Sequence, residues 1–158
     1  MYNNFGQFID GKWQQSEKKE TYDVINPATE EVIGSASKAS SIEVQKALKS
    51  AERGLKVWSN TTPWQRSYVL RKIADLMREK KDVLAKWLTL EVGKPLTEGV
   101  GEVGGAADIF EWNAEETKRI YGQTVESRFE DTRVHVYYQP VGVVAALVPW
   151  NFPLVLSA

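Results

Sequence analysis

Val143-Val144-Ala145-Ala146-Leu147-Val148-Pro149-Trp150-Asn151-Phe152-Pro153 is the stretch from which this chain is best understood. Residues 141–148 are apolar apart from Gly142, the pattern of a β-strand covered on both faces, as in a parallel sheet. Pro149 and Pro153 restrict the backbone on either side of Trp150-Asn151-Phe152. Leu154-Val155-Leu156 then starts an apolar segment able to open a helix. Ligands of open α/β sheets bind outside the carboxyl ends of strands, and Asn151 falls at such an end. A rigidly held Asn amide can aim its N–H at charge that develops only in a transition state, which is the task of an oxyanion donor. Asn is equally suited to cap the following helix. The residues alone leave both roles open. The most apolar part of the sequence is its end, where a chain is usually polar and frayed, so a fragment is expected.

Working outward, residues 133–138 alternate, with Val134, Val136 and Tyr138 on one face and Arg133, His135 and Tyr137 on the other. That predicts a half-exposed strand, broken by Pro140. Upstream lie four predicted helices. The longest is capped by Thr97 and reaches about Arg119, and Gly99, Gly101, Gly104 and Gly105 in it suit close helix packing. Leu84, Trp87 and Leu88 face inward on a helix starting near Asp82 and stopped by Gly93-Lys94-Pro95. Thr62-Pro63-Trp64-Gln65 opens another, with a buried stripe of Val69, Leu70, Ile73, Leu76 and Met77. Ser40-Ser41-Ile42-Glu43 is a capping box before Val44, Leu48, Ala51, Leu55 and Trp58, which recur at helical spacing. Before the helices, Asp10-Gly11 signals a hairpin, and residues 22–25 and 31–36 read as two short strands around Asn26-Pro27.

Composition narrows the chemistry. The 158 residues suffice for one domain of ordinary size, and 42% hydrophobic with 26% charged residues is a globular balance. Twenty basic against 21 acidic residues argue against a general nucleic-acid or acidic-membrane footprint. With no cysteine, the chain offers no thiolate nucleophile, thiolate zinc site or disulfide. A single histidine, His135, makes a His-based metal site or a Ser-His-Asp triad very hard to build. The polar start and the lack of a run of about 20 apolar residues make a cytoplasmic protein without a membrane span the expectation.

Several patterns have plain structural readings. Gly99-Val100-Gly101-Glu102-Val103-Gly104 has the letters of a dinucleotide loop, but Lys94-Pro95-Leu96-Thr97-Glu98 before it is no strand, so it is read as helix packing. Asn60-Thr61-Thr62 matches a glycosylation sequon by chance, Thr62 already serving as a cap. Glu111, Glu115, Glu116, Lys118 and Arg119 read as a solvated face with local charge pairs rather than a catalytic carboxylate pair. Trp58, Trp64 and Trp87 are expected to pack in the core, and His135 to lie at the surface.

Pro149-Trp150-Asn151-Phe152-Pro153, preceded by Gln139-Pro140-Val141-Gly142-Val143, resembles the signature of the NAD(P)-dependent aldehyde dehydrogenase superfamily. Phe8-Ile9-Asp10-Gly11-Lys12-Trp13, Asn26-Pro27-Ala28-Thr29 and Glu91-Val92-Gly93-Lys94-Pro95 agree with it in family order. The stretch from Phe110-Glu111-Trp112 to Ile120-Tyr121-Gly122 is similar to the succinate-semialdehyde dehydrogenase-like branch.

The resemblance implies an α/β fold built of a β-ribbon, a helical layer, an oligomerisation strand and the first strand of a Rossmann-like parallel sheet. It divides the chain into a ribbon and helical part of the cofactor-binding domain over 1–121, an oligomerisation arm over 122–140, and the first strand and turn of the sheet over 141–158. It implies that a cysteine thiolate attacks an aldehyde, that Asn151 donates to the oxyanion, and that hydride transfer to NAD or NADP leaves a thioester which a glutamate-activated water hydrolyses. Leu147, Val148, Pro149, Trp150 and Asn151 would line the cofactor site, and Phe152 and Val155 would approach the aldehyde tunnel. Residues 133–138 would join copies of the chain into a homo-oligomer. Glu102 would lie near a structural monovalent cation, with no metal-ligand set assigned to this chain. The cysteine and the general-base glutamate of the family lie downstream of Ala158, so the chain alone is expected to be inactive. A non-catalytic interaction module using the edge of strand 133–138, and a helical domain without a ligand, are the other two readings.

Overall fold

The computed structural model describes residues 5–158. Among the described residues the order is four short strands in two hairpins, four helices, a third hairpin and a short 3-10 turn. Strands β1 (Gln7–Ile9) and β2 (Lys12–Gln14) pair antiparallel with Ile9 opposite Lys12. Asp10 and Gly11 between them take φ values of 56° and 75°, which the expected Asp-Gly turn requires and which matches the twist of a tight hairpin. Strands β3 (Thr21–Ile25) and β4 (Val32–Ser37) form a second antiparallel pair. The two hairpins are joined through Phe5, whose N–H donates to Ser35 O and whose carbonyl accepts from Ser37 N–H.

Helix α1 (Ser41–Ser59) starts at the capping box expected from the sequence. Ser40 accepts from the helix backbone while Glu43 accepts from Ser40 N–H at 2.8 Å. Glu43 is almost wholly buried and reaches further, accepting from Glu17 N–H at 3.1 Å and from Ser16 Oγ at 3.3 Å. Its carboxylate therefore ties α1 to the segment after β2. These donors, led by the Ser40 hydroxyl, lower its pKa from 4.5 to about 2.

Helices α2 (Pro63–Glu79), α3 (Lys81–Val92) and α4 (Leu96–Glu116) make the packed layer. Thr62 and Gln65 cap α2 reciprocally, with Pro63 in its first turn. Gly93 ends α3 in the left-handed conformation at φ 79°. Small side chains bring the helices together: Ala74, Ala85, Ala106, Ala107 and Ala114 are fully buried. Ala85, Leu88 and Val103 form the core, with Met77, Leu84, Val92, Val100 and Leu154 against it. At Gly99 a Cβ would stand 2.9 Å from Ala85 O, so there the packing reading of the glycine-rich helix holds. Gly101 and Gly104 meet open space and have no such packing reason.

The structure departs from expectation at several points. Helix α4 starts at Leu96 rather than after a Thr97 cap, because the Pro95 carbonyl accepts from the N–H groups of Glu98 and Gly99. Strand β6 (Arg133–Val136) pairs with β5 (Gln123–Glu126), a strand the sequence did not signal, and both faces of this hairpin are exposed. Trp64 is 73% exposed, with Lys118 Nζ over its ring, and Trp58 is exposed as well. The apolar stripe of α1 is mostly exposed, because among the described residues little packs on that helix. Residues 141–148 form no strand and are not buried: Val141 is 92% and Leu147 96% exposed. A strand needs a ladder partner, and none adjoins this run among the described residues. No helix among the described residues is long and apolar enough to cross a membrane.

Candidate functional site

The Pro149–Pro153 turn is held against the helical layer by two side chains from elsewhere in the sequence. Lys94, between Gly93 and Pro95 in the α3–α4 link, donates from Nζ to the Asn151 carbonyl at 2.7 Å. Its ammonium also lies 4.1 Å from the centroid of the Phe152 ring and pairs with Glu102 Oε2. The other carboxylate oxygen of Glu102 accepts from Leu154 N–H at 2.9 Å. The two side chains are 7% and 0% exposed, so the ion pair is shielded from solvent. Beyond the turn, Leu154 enters the core and Val155 packs at the place Gly105 leaves open, 3.6 Å from where a Cβ would stand. A 3-10 turn (Val155–Ser157) follows, closed by Leu156 N–H donating to the Phe152 carbonyl.

Asn151 is exposed, and among the described residues its side-chain amide has no hydrogen-bond partner. The 3-10 turn carries no side-chain cap, with Leu154 at its capping position. Asn151 is therefore not a helix cap in this structure. Its backbone is fixed while its amide is left for another group.

The residues named from the sequence separate into two sets. Asn151, Phe152 and Val155 are gathered over α4 by Lys94, Glu102 and Gly105. Leu147, Val148, Pro149 and Trp150 lie on an exposed approach to the turn and are not enclosed by other described residues. Both Glu102 oxygens are taken by Lys94 and Leu154, and no group of three or more His, Cys, Asp or Glu side chains among the described residues could hold a metal ion. The sequence reading places Lys94 in a helix stop and in one of the family-like blocks, and assigns it no contact with the turn. The available signal was a charged Glu102 beside Val103, Ala106 and Ala107 on the buried face of a glycine-rich helix.

The acidic end of α4 behaves as a solvated charge-paired face. Arg71 bridges to Glu115, Arg78 to Asp108 and Glu111, and Arg119 to Glu116. His135 sits on the exposed hairpin with Nδ1 3.2 Å from Thr124 Oγ1.

The aldehyde dehydrogenase family model matches residues 13–158. Glutarate-semialdehyde dehydrogenase of Pseudomonas aeruginosa is 44% identical over 146 residues, covering 92% of this chain and 30% of that protein. The NADP(+) succinate-semialdehyde dehydrogenase GabD of Escherichia coli is 45% identical over 145 residues, again 92% of this chain and 30% of that one. A solved Escherichia coli NADP-dependent enzyme superposes with a TM-score of 0.93 at 42% identity, over 98% of this chain and 32% of its own. This chain thus spans about 30% of the length of its curated relatives. From the ribbon to the Pro149–Pro153 turn, it belongs to the aldehyde dehydrogenase family.

Proposed function

We propose that this chain is the N-terminal part of an NAD(P)-dependent aldehyde dehydrogenase, to which it supplies the oxyanion donor Asn151. The carrying observation is the turn itself: its backbone is anchored at the Asn151 carbonyl and at Leu154 N–H, while the Asn151 amide has no partner among the described residues. Such an amide can donate to the oxygen of an aldehyde carbon under attack, whose negative charge appears only as the new bond forms. With no cysteine in this sequence, the attacking thiolate comes from residues outside it.

Exposed apolar residues at Val148, Pro149 and Trp150 suit one wall of a site for NAD or NADP. When bound, that cofactor accepts the hydride from the reacting carbon. Leu147 extends this wall, and Phe152 and Val155 face the aldehyde. In the complete enzyme, where further strands would cover them, residues 141–148 would serve as the first strand of a Rossmann-like sheet, and the arm over 122–140 would pair with a second copy, leaving 1–121 as the ribbon and helical part of the cofactor domain. The exposure of the apolar run and of β5–β6 supports this division. The names of the relatives support a semialdehyde as substrate.

In the complete enzyme, Asn151→Ala is expected to lower kcat by about 10²–10³-fold. Its cofactor KM should stay near the parent value. Steady-state NAD(P)H formation measures both, and an unchanged kcat would overturn the role. Residues 1–158 alone should form no NAD(P)H from an aldehyde.

A further inference from the structure

We propose that Lys94 and Glu102 are positioning residues for Asn151, fixing by their buried ion pair the direction in which its amide donates. The proposal rests on Asn151 being the oxyanion donor.

The geometry is specific. The pair grips the turn at its middle and just beyond its end: Lys94 holds the Asn151 carbonyl and Glu102 holds Leu154 N–H. The ammonium finds a carboxylate, a carbonyl and an aromatic face around it, so its charge is satisfied from three sides. The root of Lys94 is itself restrained, lying between a left-handed Gly93 and a proline. Among the described residues the Asn151 amide has no hydrogen-bond partner, so what the protein fixes is the backbone from which it projects.

A role in stability alone accounts poorly for this arrangement. Removing two charges from water is costly, and well-packed apolar residues of similar volume often serve stability as well or better. What apolar residues cannot do is bond the Asn151 carbonyl and Leu154 N–H. Those two bonds are what the ion pair adds, and a displacement of about 1 Å at a reacting centre can cost about 10²-fold in rate.

The test uses the complete enzyme with active sites counted by titration. Three variants are compared with the parent: Asn151→Ala, the double replacement Lys94→Met with Glu102→Leu, and all three together. The double replacement is expected to melt like the parent, to leave the cofactor KM within about 2-fold, and to lower kcat by at least about 10-fold. Because the pair acts through Asn151, adding Asn151→Ala to it should give a rate no more than about 2-fold below that of Asn151→Ala alone. A double replacement with parental kcat, beside a slow Asn151→Ala enzyme, overturns the proposal. So do losses that multiply. A parental kcat in Asn151→Ala overturns the oxyanion role beneath it instead. Should the double replacement not fold, Lys94→Met with Glu102→Gln is judged by the same criteria, since it keeps an acceptor for Leu154 N–H while removing the bond to the Asn151 carbonyl and both charges.

Discussion

Two buried carboxylates hold two junctions of this molecule, and they are satisfied differently. Glu43 ties α1 to the segment after β2 using neutral donors only: the Ser40 hydroxyl and N–H, the Glu17 N–H and the Ser16 hydroxyl. Glu102 ties α4 to the Pro149–Pro153 turn through one backbone N–H and a buried ammonium. The first arrangement is mainly local, built on a capping box whose members are three residues apart. The second spans 52 and 57 residues of sequence. A local neutral network sets where a helix begins. The buried ion pair, its members eight positions apart, sets where a distant loop sits, at the cost of a cation whose partner can never be lost.

The strongest way to break this contrast is to remove that partner. Glu102→Ala leaves Lys94 buried without its carboxylate and is expected to cost about 3–5 kcal/mol, read by chemical denaturation of the complete enzyme. A loss below about 1 kcal/mol would mean that Lys94 escapes to water and that the junction is looser than described. Moving the helix without touching either carboxylate is the next test. Gly99→Ala puts a Cβ 2.9 Å from the Ala85 carbonyl, a backbone atom that cannot swing aside. Separation of α3 and α4 should cost about 1–3 kcal/mol by the same assay.

Acid sharpens the contrast from the other side. Glu43 has a folded pKa lowered from 4.5 to about 2, so its folded form favours the charged carboxylate. Its contribution is fully present above pH 4.5 and is lost as pH falls toward 2. Melting temperature should therefore fall through that window, and Glu43→Gln should flatten the fall. A profile unchanged by Glu43→Gln would assign acid sensitivity elsewhere. The smallest effect belongs to Arg78, which bridges Asp108 and Glu111 on the solvated side of α4. Arg78→Ala should cost under about 1 kcal/mol, as exposed pairs do.

The same division explains what could be read beforehand. The Asp10-Gly11 hairpin, the Ser40 and Thr62 caps and the Gly93 stop are encoded within a few residues, and each stands where the sequence places it. The Pro149–Pro153 block was legible through family resemblance. The contacts of Lys94 were not, because nothing within four residues of it hints at a partner near residue 151. Strand β5 was missed because Gln123–Glu126 is short and exposed on both faces, leaving no alternation to detect. Trp58, Trp64 and the α1 stripe were assigned to the core by periodicity. Periodicity reports which face wants cover, not whether the cover lies in the same stretch of chain.

The separation of eight positions between Lys94 and Glu102 carries a consequence for how this segment can vary. An α-helix turns about 100° and advances about 1.5 Å with each residue. One residue inserted into α4 ahead of Glu102 would swing the link carrying Lys94 around the helix axis and out of reach of the carboxylate. Insertions in the exposed bend between β5 and β6 would displace nothing buried. Length is therefore free in the hairpin and quantised in the link, where only changes that restore the helical phase keep the turn in place.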